Sequence, residues 1–225
     1  MARRTKEEAG QTREAILDAA EQVFHEKGVS RSSLEEIARR AGCTRGAVYW
    51  HFAHKRDVLQ ALGRRIDTIM AERRERMRQA AQDDPMAAMR EFLHYIADEL
   101  LEDPHGRTIL DILFHRCEYV DEMRELGEIV DDEHDSKHRE FVAMFARAQE
   151  LGQVRSDVPA EVCAIMIRTL LEGIMRTSLL DFGACRRSSG VSNAQMVDFF
   201  LGSLGYRCGG APWGVAEHGP AADPR

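Results

Sequence analysis

Apolar positions recur at helical rather than alternating spacing along nearly the whole chain. Of only six prolines, three fall within the last fourteen residues. The pattern predicts an all-α protein of about nine helices. Ile16, Leu17, Ala20, Val23 and Phe24 form one stripe of a first helix that ends at Lys27-Gly28, where glycine can take the left-handed capping conformation. Ser33 with Glu36 reads as a capping box ahead of Leu34, Ile37, Ala38 and Ala41, a second helix of two turns that stops at Gly42. Thr44 caps a third, running to about Phe52. A longer helix follows from Asp57 to about Ala81, broken by "QDDP". Further helices are expected over 85–102, 105–118, 121–151, 159–181 and 193–206. The last stretch, "CGGAPWGVAEHGPAADPR", is rich in Gly, Pro and Ala and is expected to be a disordered tail.

This pattern divides the chain into a head over residues 1–55, a helical body over 56–207 and the tail over 208–225. Length and 44% apolar content suffice to close a real core. No run approaches the ~18 apolar residues of a membrane span, and the N-terminus lacks the apolar middle of a secretion signal, so a cytoplasmic protein without membrane contact is expected. Cys43, Cys117, Cys163, Cys185 and Cys208 are odd in number, scattered and free of CxxC spacing, which indicates reduced thiols rather than disulfides or a zinc knuckle. The overall charge of −7 argues against nonspecific coating of nucleic acid by the whole molecule, yet residues 1–60 carry 11 Lys/Arg against 9 Asp/Glu. A mildly basic head on an acidic body permits a local polyanion site.

The chemistry concentrates in "TRGAVYWHFAHK" at 44–55. Val48 and Phe52 stack at i and i+4 on the inner side, which turns Gly46, Tyr49 and Trp50 outward and leaves Arg45 and His51 on the flanks. Two short helices joined by "AGCT" fit a helix-turn-helix. Gly46 costs about 1 kcal/mol relative to alanine inside a helix. Such a glycine suggests that something must approach the backbone closely, as a DNA groove does.

Residues 12–57, "TREAILDAAEQVFHEKGVSRSSLEEIARRAGCTRGAVYWHFAHKRD", resemble the DNA-binding head of TetR-family transcriptional regulators without a gap. "ARRTKEEA" near the start and "ILFHRCEYVDEM" from Ile112 are similar to the AcrR-like and TtgR-like repressors of multidrug efflux pumps. Arg45 has the chemistry to reach guanine N7 and O6, and Trp50 can pack on a sugar or a thymine methyl. The resemblance implies phosphate-side roles for Thr44, Tyr49, His51 and Lys55, with exposed amides at the start of helix four assisting Lys55. Ser33 and Arg4 complete the expected DNA contacts, Arg4 together with Arg3 and Lys6 as a basic arm. The alternative for Tyr49, Trp50 and His51 is a small aromatic cap over the core.

Residues 162–175 are apolar nearly all round, and one core cannot absorb both faces. With Phe199, Phe200 and Leu204, the stripe of Ile165, Met166 and Thr169 suggests a four-helix bundle across a two-fold axis, as in the family; a homodimer presents two heads to double-stranded operator DNA. The alternative is a fully buried central helix. Between head and interface lie Ile66, Met70, Met89, Phe92, Leu93, Ile96, Leu110, Phe114, Phe141, Leu171 and Met175, large flexible apolar side chains able to repack around a hydrophobic small-molecule effector. They are equally compatible with plain core. The resemblance implies an acid lining that pocket at Glu172, while Leu110 and Phe114 stand at positions that are polar in some relatives. It further implies a ligand-released repressor of an efflux operon, with control of a metabolic operon as the alternative. No cofactor is expected.

Three other readings remain open. His134 and His138 stand at i and i+4 with Asp131 and Asp135 beside them, a spacing that can hold a divalent cation but lacks a clear third ligand. Cys117 beside Glu118 and near His115 invites a hydrolase reading, although i and i+2 point apart on a helix. A protein-interaction module without DNA binding is the third. Cys43, in the turn, is a small turn-filler or a redox-sensitive thiol.

Overall fold

A computed structural model describes the backbone of residues 2–117, 124–180 and 190–207, and the side chains of 7–117, 136–180 and 190–207. The side chains of Arg3, Arg4, Lys6, Asp131, His134 and Asp135, and the residues Glu118, Cys185, Cys208 and the expected tail, lie outside the described residues.

Those residues form helices joined by turns, with no strand among them. Helix α1 (Ala2–Lys27) seats its predicted stripe at the centre of the head: Ile16, Leu17, Ala20 and Phe24 are fully buried. It ends where expected, Gly28 standing at φ +82° with its N–H donating to the Phe24 carbonyl at 2.8 Å. Helix α2 (Leu34–Arg40) starts on Ser33, whose Oγ accepts the Glu36 N–H at 3.2 Å. The reciprocal half of the expected capping box is subordinate. The Glu36 carboxylate goes first to Lys27, which holds its pKa below the usual range, with the Ser33 N–H a smaller contributor. Gly42, at φ +66°, turns the chain into helix α3 (Arg45–His51), capped by Thr44 Oγ1 on the Ala47 N–H at 3.1 Å.

Helix α4 (Lys55–Ala80) begins two residues earlier than the apolar pattern suggests, because Asp57 reaches back to accept the His54 N–H at 2.8 Å. Its unbroken run carries buried Val58, Leu59 and Leu62 in the head and Ile66, Met70 and Met77 in the body, so a single apolar cluster joins the two. The helix expected over 85–102 is interrupted. It runs as α5 (Pro85–His94), a π turn (Tyr95–Glu99) and α6 (Leu100–Glu102). The wider turn leaves the Ala97 carbonyl to accept from Asn193 Nδ2 at 2.6 Å while Ile96 and Ala97 stay buried, a side-chain partner 96 residues away that periodicity cannot anticipate. Helices α7 (Pro104–His115), α8 (Arg124–Glu150), α9 (Ala160–Leu179) and α10 (Asn193–Ser203) complete the body. Helix α5 packs on α4, α8 and α10, and α9 packs on α7, α8 and α10.

Helix α7 also packs against α1 and α4, which makes it the joint between body and head. The Val29 N–H donates to the Arg116 carbonyl at 2.9 Å. Beside it Asp111 accepts from Arg116 Nε at 2.5 Å, faces His115 Nδ1 at 3.2 Å and lies 3.5 Å from His25 Nε2 of α1. Burial raises the Asp111 pKa, but Arg116 and the two histidines outweigh it and hold the group below the usual carboxylate range. Arg65 of α4 gathers Glu14 (2.7 Å) and Asp18 (2.8 Å) of α1, and nearly buried Glu21 meets His105 of α7 at 3.2 Å.

Candidate nucleic-acid interface

Helix α3 presents the expected face. Val48 is fully buried and Phe52 is 4% exposed, whereas Tyr49 is 47% and Trp50 73% exposed. An aromatic cap over the core cannot leave Trp50 so accessible, so the inward-facing alternative fails for these two residues. His51 is intermediate: its ring meets Trp50 edge-on at 4.4 Å between centroids, and burial, then the Arg13 charge, lower its pKa. It therefore holds the Trp50 indole as well as facing outward. A Cβ at Gly46 would meet nothing nearer than Thr44 Oγ1 at 3.9 Å, so glycine is not required by internal packing and the helix surface there is open. Thr44 is exposed, but its oxygen already caps α3, leaving the hydroxyl proton for an outside acceptor.

Lys55 departs from its expected phosphate role. Its Nζ donates to the carbonyls of Val29 (2.8 Å), Ser30 (3.1 Å) and Ser32 (3.0 Å), which uses all three ammonium protons. The side chain ties the turn between α1 and α2 to the start of α4. Ser33 is likewise committed to capping α2 and is half-buried. A residue that the apolar pattern did not single out enters instead: Glu35 of α2 pairs with Arg45 Nη2 at 2.5 Å. The only sequence signal is an acid in the first turn of the preceding helix, which on its own reads as dipole complementation. Arg40 pairs with Glu26 at 2.7 Å and Arg39 lies 3.6 Å from Glu36, so the cations flanking α3 carry acidic partners of their own.

In the body, Ile165 (48%), Met166 (52%) and Phe199 (62%) stand exposed, with Val162 at 45% beside them, on helices α9 and α10 that pack together. Thr169 shares that exposed face, so α9 is not a fully buried central helix. Leu204 does not belong to it: at 7% exposure it is core, because α10 ends at Ser203 and the chain turns back, Leu204 O accepting the Arg155 N–H at 2.8 Å. Phe200 is half-buried against the core.

The expected pocket residues are packed into the body interior. Met89 and Leu93 are fully buried, Ile66, Met70, Phe92, Ile96, Leu110 and Leu171 nearly so, and Phe92 meets Phe141 at 6.4 Å between ring centroids. Phe114, Phe141 and Met175 lie half-buried at its margin. Glu172 is overturned as a lining acid. Its side chain is 52% exposed on the outer side of α9 and pairs with Arg176 at 3.2 Å, because positions 165, 169, 172 and 176 follow one outward helical row. An open groove of about 230 Å³ lies elsewhere, walled by Arg78, Ala81, Pro85, Glu140, Ala143, Met144 and Arg147, none of them expected.

Among the described residues no group of three or more His, Cys, Asp or Glu side chains is placed to hold a metal ion, and no helix is long and apolar enough to cross a membrane. His115 is turned to Asp111 rather than to buried Cys117.

A short helix that shows an arginine and two aromatics to solvent over an apolar back, behind a tight glycine turn, defines a helix-turn-helix DNA-binding regulator. Residues 16–62 match the model of bacterial regulatory proteins of the tetR family, and residues 84–201 match the C-terminal region of MAATS-type transcriptional repressors; the chain belongs to the TetR family. It is 37% identical over 184 residues to the HTH-type transcriptional regulator TtgR of Pseudomonas putida, covering 80% of this chain and 86% of that one. Among solved structures it is similar to native NalD, the secondary repressor of the MexAB-OprM multidrug efflux pump in Pseudomonas aeruginosa, with TM-score 0.72, 29% identity and coverage of 87% of this chain and 96% of that one. It is also similar to a SmeT–triclosan complex, with TM-score 0.67, 30% identity and coverage of 86% and 90%.

Proposed function

We propose that this TetR-family regulator is a cytoplasmic, non-enzymatic repressor that binds its operator as a homodimer and leaves it when a hydrophobic or amphiphilic small molecule enters the body. The observation that carries the DNA-reading part is α3 itself: Trp50 and Tyr49 stay exposed while Val48 and Phe52 anchor the helix from behind. The apolar face of α9 and α10 supports dimerisation, since an unpaired patch of this kind on a lone protomer marks an interface. Two heads then address successive major grooves about one DNA turn apart.

The efflux assignment draws on likeness to regulators such as NalD, a repressor of a multidrug efflux pump, and the effector class on SmeT, solved with triclosan. The interior of this chain suits such a ligand chemically, being lined by Met70, Met89, Phe92, Phe141 and Met175, side chains that repack readily. Occupancy requires that α4, α5, α7 and α8 move apart. A ligand favouring the spread arrangement shifts the population toward it. Because α4 belongs to both domains and α7 bonds to the head through Arg116, the spread state changes the separation of the two α3 helices.

The test is a titration of protein bound to a labelled promoter fragment from upstream of its own gene with triclosan and other hydrophobic compounds. Release at micromolar ligand, with salt-sensitive binding in its absence, supports the proposal. Binding that no compound weakens sinks the sensor half of it.

A further inference from the structure

The Arg45 guanidinium is the group best suited to read a base, and it is not free in solution: Nη2 lies 2.5 Å from Glu35 Oε1. Resting on the reading of α3 as the DNA-contacting helix, we infer that Glu35 is the positioning residue for Arg45 and thereby sets base discrimination at the pair that Arg45 reads.

Glu35 stands in the first turn of α2, where the helix dipole favours a carboxylate, and α2 packs directly against α3. Its backbone is placed by that packing independently of Arg45. A guanidinium carries five N–H groups in a rigid fork. One carboxylate oxygen on Nη2 occupies a single donor and leaves the others for guanine O6 and N7. The long side chain is thus partly ordered before DNA arrives, which removes rotamer freedom otherwise lost on binding. Both groups remain accessible, Arg45 at 66% and Glu35 at 42%, so the pair lies on the surface that a duplex meets.

The same contact acts against the wrong sites. A phosphate bound by Arg45 would lie beside the Glu35 carboxylate and be repelled by it, whereas the neutral edge of guanine meets no such charge. Glu35 therefore weakens sequence-independent binding and orients the group that supplies the sequence-dependent part. The neighbouring cations cannot replace Arg45 in this pair without giving up partners: Arg39 faces Glu36, and Arg40 is held by Glu26.

The experiment selects duplexes from a random pool with the full-length wild-type protein, then with Arg45→Ala, Glu35→Ala and Glu35→Gln, each checked for an unchanged helical spectrum and thermal midpoint. Arg45→Ala marks the base position concerned. Wild type is expected to prefer guanine there by about ten- to a hundredfold. Glu35→Ala is expected to reduce that preference to below about threefold at this position alone and to bind unrelated duplex several-fold more tightly. Glu35→Gln, which keeps an acceptor oxygen, restores part of the preference. An unchanged preference in Glu35→Ala, a loss spread evenly over all base positions, or a Gln variant no better than Ala overturns the inference while leaving DNA reading by α3 intact. A wild-type protein that enriches no sequence overturns the DNA-reading function itself and the Glu35 role with it.

Discussion

The amide of Val29 donates to the carbonyl of Arg116 at 2.9 Å, a backbone hydrogen bond between residues 87 apart in sequence that joins the turn after α1 to the end of α7. Arg116 is held in place by Asp111, and Asp111 by His115 on its own helix and His25 on the head. Asp111→Asn keeps the shape but removes the charge. It is expected to lower stability by about 1.5 to 3 kcal/mol, the range for charged hydrogen bonds. Denaturant unfolding checks this, and promoter affinity should fall with it if the joint sets the angle of the head.

The roles on α3 separate stability from binding. Phe52→Ala removes a buried ring and is expected to cost about 3 to 5 kcal/mol of folding stability. The double variant Tyr49→Ala, Trp50→Ala removes exposed side chains. Its stability should change by less than about 1 kcal/mol while operator affinity drops tenfold or more, as followed by fluorescence anisotropy. Equal affinity in the folded double variant would remove α3 from the DNA contact.

Lys55 gives the reverse case. Its three bonds to Val29, Ser30 and Ser32 are structural, so Lys55→Gln is expected to lower the thermal midpoint by a few degrees. The slope of log affinity against log salt should stay unchanged. A slope smaller by about one would return Lys55 to the phosphate contacts.

Exposed Ile165 should tolerate charge in the protomer and not in the dimer. Ile165→Asp is expected to shift the protein from dimer to monomer in sedimentation velocity without loss of helical signal. A dimer that survives this substitution and Met166→Asp together would move the interface elsewhere.

Asp198 ties α10 to α5, accepting from Arg90 at 2.6 and 2.8 Å and facing His94 at 2.8 Å. Burial raises its pKa, but Arg90 and His94 outweigh burial and leave it lowered. A carboxyl with a folded-state pKa below its unfolded value stabilises above the unfolded pKa, and that contribution is lost as pH falls through the folded one. Stability should therefore drop below about pH 4, and Asp198→Asn should flatten that acid limb while costing about 2 kcal/mol at neutral pH. Chemical denaturation at a series of pH values measures both.

The helical order and the face of α3 were legible because each rests on local rules. Val48 and Phe52 stack at i and i+4, and Gly28 and Gly42 mark turns that need positive φ. What local rules do not carry is partner choice. Nothing near Lys55 in sequence announces three carbonyls from residues 29 to 32, and nothing near Arg45 announces Glu35 on another helix. The expectation of Glu172 in the pocket rests on the resemblance alone, which does not carry side-chain direction: Leu171 beside it is buried, but one residue on a helix turns by about 100°, enough to put the carboxylate outside. Leu204 followed the apolar pattern into the predicted interface, whereas the chain had already turned inward.

Helix α4 runs for 26 residues without a break. At 1.5 Å per residue it is a rod about 39 Å long, and tilting it by about 5° swings its far tip by roughly 3 Å, close to one base-pair step. In the proposed mechanism, a modest swelling among Met70, Met89 and Phe92 would thus be geared up into a shift of about one base-pair step at the duplex. Such a rod would respond to displaced volume rather than to the identity of what displaces it, so the proposal predicts that chemically varied ligands of similar size act alike.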